Sequence, residues 1–133
     1  MVRMVIAIGL VFFASFAFAE TVRLTCTEKN ESKNISFNLT IISSEGASGG
    51  KVFRDDEDLN SSKKGSIQTV NDVKINNSKI TYWTKFEVPS SSILITNFYE
   101  IVRNTGLMTH RNFSTVEGRT FYYQCEPRRE NKF

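Results

Sequence analysis

Apolar and polar residues alternate along most of the chain, with the two-residue period of half-buried β-strands. In "ISFNLTII", Ile35, Phe37, Leu39 and Ile41 fall on one face, and Ser36, Asn38 and Thr40 on the other. In "KITYWTKFEV", Ile80, Tyr82, Thr84 and Phe86 oppose Thr81, Trp83, Lys85 and Glu87. "SILITNFYEIV" (residues 92–102) is apolar on both faces, the pattern of a central strand covered on both sides. "VRLTCTE" and "TFYYQCE" also read as strands, and weaker strands are expected at Lys51–Arg54 and Ser66–Ile75. Beyond residue 19 no stretch carries a helical period.

Turn-forming residues separate these runs. "SSEGASGG" (residues 43–50) is a flexible connection, "DDEDLNSSKKG" (residues 55–65) a polar charged loop, and "VPSSS" (residues 88–92) a third break. About eight short strands so punctuated predict an all-β domain. It would be a single antiparallel meander, barrel-like or a sandwich. Asn104-Thr105-Gly106 fits a three-residue hairpin loop with glycine in the left-handed position, joining a run that ends at Arg103 to one that starts at Leu107. Beyond it, Met108, His110 and Asn112 share one face, and Leu107, Thr109, Arg111 and Phe113 the other.

The first segment stands apart. Arg3 precedes an uncharged run, Met4–Ala19, that ends in Ala17-Phe18-Ala19. This is the three-part pattern of a secretory signal peptide, with cleavage expected after Ala19. A membrane anchor is the alternative, but a spanning helix needs roughly 20 apolar residues, and this run has 16 (residues 4–19). The expected organisation is a signal peptide at 1–19 and one domain at 20–133, with no stable membrane span after cleavage. The short signal suits a bacterial exported protein, periplasmic or extracellular.

Export changes the reading of the cysteines. Cys26 and Cys125 are the only two, and in an oxidising compartment they are expected to bridge. The bridge closes 99 residues (125 − 26), for which a chain-entropy model gives about 4.7 kcal/mol. It would set the first and last strands side by side or on facing sheets. Export would also make Asn30, Asn34, Asn38, Asn60, Asn76 and Asn112, each in an Asn-x-Ser/Thr triplet, glycan acceptors in a eukaryotic host and nothing of the kind in a bacterium.

Charge and motifs exclude more than they assign. The formal charge of +3, or +2 without Arg3, is too small to imply nucleic acid. The acidic loop fails the EF-hand spacing, since Ser61 and Ile67 stand where glycine and glutamate are required. Two cysteines and one distant histidine make no metal site. "EGASGGKVF" lacks the spacing and the helix of a phosphate loop. His110, beside Arg111, has no nucleophile or orienting carboxylate in pattern and reads as a surface residue. No enzyme, cofactor or metal is expected.

The order of "LTC", "ISFNLTI", "ITYW", "YEIVRNTGLM" and a final "YYQCE" resembles a group of small exported bacterial proteins of unknown function. That group is marked by an Ile-x-Arg-x-Thr-Gly-x-Leu hairpin and a terminal cysteine pair. The matching positions are Cys26, Ile80, Trp83, Ile101, Arg103, Thr105, Gly106, Met108 (in place of leucine) and Cys125. The resemblance implies an exported β-domain and no established activity. "ASGGK" (residues 47–51) and "YWTK" (residues 82–85) also resemble pieces of the C-type lysozyme inhibitors of the bacterial periplasm, where the two pieces lie closer together. That likeness implies a β-barrel with Ser48 and Lys51 on an inserting loop. The expected function is therefore a non-catalytic binding or protective module that recognises a protein or an envelope component. The alternative is inhibition of a lysozyme-type hydrolase through residues 43–51. Arg103, beside Asn104, is a charged side chain at the strand end that the fold itself does not obviously require.

Overall fold

The computed structural model describes residues 19–29, 35–44, 49–113 and 119–128. The signal segment up to Phe18, Asn30, Asn34 and Ser48 lie outside them. Among the described residues there are ten strands: β1 (Thr21–Glu28), β2 (Ser36–Ile42), β3 (Lys51–Arg54), β4 (Glu57–Asp58), β5 (Ser61–Lys63), β6 (Ser66–Ile75), β7 (Lys79–Val88), β8 (Ile93–Val102), β9 (Leu107–Asn112) and β10 (Arg119–Pro127). They form one antiparallel sheet in the order β4-β3-β2-β1-β10-β9-β8-β7-β6-β5. Every strand pairs with a chain neighbour, and β1 pairs with β10. The sheet is therefore a meander that curls into a nearly closed barrel.

The disulfide locks the β1–β10 join. Cys26 and Cys125 are directly opposed in register, with Cα atoms 4.0 Å apart. The first and last strands are thus side by side, the first of the two arrangements expected. The barrel's seam lies elsewhere, between β3–β4 and β5–β6, where the chain passes from β4 to β5 without pairing them. Side chains and stray backbone bonds cross it: Gln68 Nε2 donates to Leu59 O, and Asn60 Oδ1 accepts from Val70 N. Val73 N donates to Gly49 O at the other end of the seam.

Two strands more than the expected eight come from the stretch at 55–65, read as a loop. It contains two tight hairpin turns instead. Asp55 and Asp56 both have positive φ (49° and 67°), as do Lys64 and Gly65 (44° and 83°). Consecutive positive φ values match the twist of paired strands, and Asp, Lys and Gly here supply a polar hairpin with no apolar alternation to betray it. The β8–β9 loop has four residues, Arg103–Gly106, rather than three, because Ile101 pairs with Met108 and the strand ends at Val102. β8 is also covered on one face only. Leu94, on the outer face, is 52% exposed, and no second layer packs on that face among the described residues.

The inward faces of the strands fill one end of the barrel. Leu39, Ile41, Val52, Ile80, Ile101 and Met108 are all nearly inaccessible and surround the disulfide. Burying each such side chain contributes roughly 1.5–3 kcal/mol. Gly106 completes this end. A Cβ there would lie 2.1 Å from the Cys125 carbonyl oxygen, and its φ is +75°. Its own carbonyl accepts from Cys125 N at 2.8 Å. Glycine is needed for close approach as well as for the turn.

Candidate functional site

The other half of the lumen is lined with rings. Tyr82 on β7 faces Tyr99 on β8, Tyr99 faces His110 on β9, and His110 faces Phe121 on β10. These four are consecutive rungs of one cross-strand row. Tyr82 and Tyr99 stack at 4.6 Å and 12°, Tyr99 and His110 at 4.3 Å and 19°, and His110 and Phe121 at 5.3 Å and 35°. Strand alternation puts each ring inward, and direct register brings them into contact.

A cavity of about 240 Å³ opens beside this row. Its rings are Phe37, Tyr82, Tyr99, His110 and Tyr123, and its polar edges are Gln68, Thr84 and Asn97. Leu39, Leu59 and Met108 close the apolar side. A wider mouth of about 620 Å³ adjoins it, bordered by Asp55, Glu57, Asp58 and Lys63. The two share Arg54, Leu59 and Gln68, so the cavity opens to solvent beside the unpaired seam.

The polar groups are fixed in place. Asn97 Nδ2 donates to Thr84 Oγ1 at 3.3 Å, and Asn97 Oδ1 lies 2.8 Å from His110 Nε2. With a carbonyl oxygen opposite, Nε2 carries the proton in this contact. Burial, and then the positive charge of Arg54, lowers the His110 pKa to about 4. The imidazole is therefore neutral at physiological pH. Burial raises the phenols of Tyr82, Tyr99 and Tyr123, so they too are uncharged. Arg54 is the single charged residue of the cavity wall. Its guanidinium lies 4.0 Å over the Phe37 ring, and none of the ion pairs among the described residues uses it.

The residues singled out from sequence are spread around the barrel. Cys26 and Cys125 form the staple. Lys51 is exposed at the start of β3, with Arg54 at that strand's other end. Arg103, Asn104, Thr105 and Gly106 form the turn beside the disulfide. Arg103 proves to be a clip: Nη1 donates to Asn76 O at 2.8 Å and lies 3.3 Å from Glu20 Oε2, while its backbone N donates to Ser78 O. It ties the β8–β9 turn to the β6–β7 turn and to the chain before β1. Gln124 Nε2 donates to Thr105 O, and Thr105 Oγ1 accepts from Leu107 N. His110 is half-buried inside the barrel and not on its surface, because Met108 on the same face is core.

The sequence carries no signal that sets Arg54, Gln68, Asn97 and Tyr99 in one cavity. The alternation assigned Tyr82 and Thr84 to one face, but only register shows that Tyr99 and His110 meet them. Comparison with protein-family models, with curated proteins and with solved structures finds no match to this chain. Among the described residues no helix is long and apolar enough to cross a membrane, which says nothing of a β-barrel.

Proposed function

We propose that the protein is an exported, non-catalytic binding module that takes a small planar ligand into the ring-lined half of its barrel. The observation that carries this is the Tyr82–Tyr99–His110 stack bordering a solvent-connected cavity. Binding sites are concave and mostly apolar, with a few fixed polar groups, and mouths of β-barrels are among their usual places. Stacked rings offer a flat face, and Thr84, Asn97 and Gln68 offer directional contacts at its edge. The neutral His110, held by Asn97, has no nucleophile or carboxylate partner in the cavity wall, which favours binding over catalysis. Export rests on the signal-like Met1–Ala19 segment, and a disulfide suits that destination. The resemblance to small exported bacterial proteins agrees with it.

The test uses ligand-observed NMR with a set of neutral single-ring compounds, comparing the mature protein with Gln68→Trp, which fills the rim shared by mouth and cavity. Compounds that bind the parent and not the variant support the reading; binding that survives the plug, or none at millimolar concentration, contradicts it. Inhibition of a lysozyme-type hydrolase through residues 43–51 is the second reading. It finds support in the exposed Lys51. A lysozyme assay decides it: no inhibition at micromolar protein removes it.

A further inference from the structure

We propose that the cavity is built for a planar monoanion, a single-ring carboxylate whose ring lies against the Tyr99–His110 face and whose carboxylate meets Arg54. The inference rests on the reading of the cavity as a binding site and adds the class of its ligand.

Three observations carry it. First, the wall holds one cation and no carboxylate. Arg54 is its only charged residue, and the other titratable groups facing inward are uncharged at neutral pH. A neutral ligand gains no charge-assisted contact from that guanidinium, whereas a carboxylate matches its planar donor fork. Second, Arg54 is already oriented. It packs over Phe37 at 4.0 Å, and no ion pair among the described residues joins it to Asp55, Glu57 or Asp58. Asp55 Oδ1 instead accepts from Asn38 N, and Asp58 Oδ1 from Asn60 N. Third, size and charge limit the ligand. A space of about 240 Å³ holds one ring with a small substituent. The carboxylates of the mouth repel a dianion more than a monoanion, which disfavours a phosphate ester.

The experiment is isothermal titration of the mature, disulfide-bonded protein with para-hydroxybenzoate, with its neutral isostere para-hydroxybenzamide, and with phenyl phosphate. The carboxylate is expected to bind about tenfold tighter than the amide, the size of one charge-assisted contact. Arg54→Gln is expected to erase that difference, the carboxylate's affinity falling to the amide's level. Arg54 is exposed, and a thermal melt of the variant shows that it folds. Equal binding of amide and carboxylate, or a preference that survives Arg54→Gln, overturns the anion proposal. If the Gln68→Trp plug still abolishes the binding of both, the cavity reading stands without it. Phenyl phosphate binding tightest overturns the monoanion. Failure of all three ring compounds to bind at millimolar concentration overturns the proposal and counts against the cavity reading.

Discussion

The Tyr99 ring lies 4.3 Å from the His110 imidazole and 19° from parallel to it, on neighbouring strands in direct register. This contact accounts for both the burial of the only histidine and the flat face of the cavity. It also makes His110 a measurable reporter of the site.

His110 titrates at about 4 in the folded chain, against an ordinary value near 6.5 in the unfolded one. The unfolded chain therefore takes up a proton first as pH falls. The stability this site contributes is complete above about pH 6.5 and is lost between there and about pH 4. Denaturation midpoints measured across that window should decline with acid. In His110→Phe, which keeps the stack, the part of the decline due to this residue should vanish. An imidazole titrating near 6.5 by NMR in the native protein would contradict the burial assigned to it.

The bridge between Cys26 and Cys125 joins two strands that the chain otherwise separates by 99 positions. Changing both residues to alanine should lower unfolding free energy by about 2–5 kcal/mol. The sheet remains, since β1 and β10 keep their ladder. Urea unfolding of the double variant checks the size, and a free-thiol signal from the native protein would refute the bridge.

Gly106→Ala should be among the most damaging single changes in the chain. The added methyl meets the Cys125 carbonyl within 2.1 Å at a φ of +75°. Backbone strain alone costs about 1–3 kcal/mol, and displacement of β10 adds to it. Thermal melting should show a larger loss for Gly106→Ala than for Gly65→Ala, which carries only the backbone strain of about 1–3 kcal/mol. A Cβ on Gly65 meets nothing within 4 Å, although its φ is also positive.

Arg103 should matter through its hydrogen bond to Asn76 O more than through its ion pair. The Glu20–Arg103 pair is solvent-exposed (side chains 49% and 34% accessible), and such pairs contribute about 0–1 kcal/mol. Glu20→Gln should therefore be nearly neutral. Arg103→Ala, which also frees the β6–β7 turn, should cost about 1 kcal/mol more. Equal effects in chemical denaturation would show that the ion pair carries the clip.

Much of this fold was legible in the alternation. Ile80, Tyr82 and Thr84 were assigned to one face and all three are buried; the cysteine pair joined the terminal strands. Two things were hidden for physical reasons. β4 and β5 are polar strands at the barrel's seam, with solvent on one side, so burial imposes no pattern on Glu57–Asp58 or Ser61–Lys63. The cavity was hidden because it is a property of register. Tyr82, Tyr99 and His110 come from three strands, and a shift of one residue in either hairpin would separate them. Arg54 is exposed by area, like any surface arginine, and only its position over Phe37 marks it as part of the rim.

The most direct test of the central claim maps amide shifts of the isotope-labelled mature protein during titration with a neutral single-ring phenol. The account predicts saturable shifts at Thr84, Asn97, Tyr99 and His110, and none at Lys51 or Arg103. Saturable shifts confined to residues 43–51, or to the outward Trp83, Phe98 and Phe113, would contradict it.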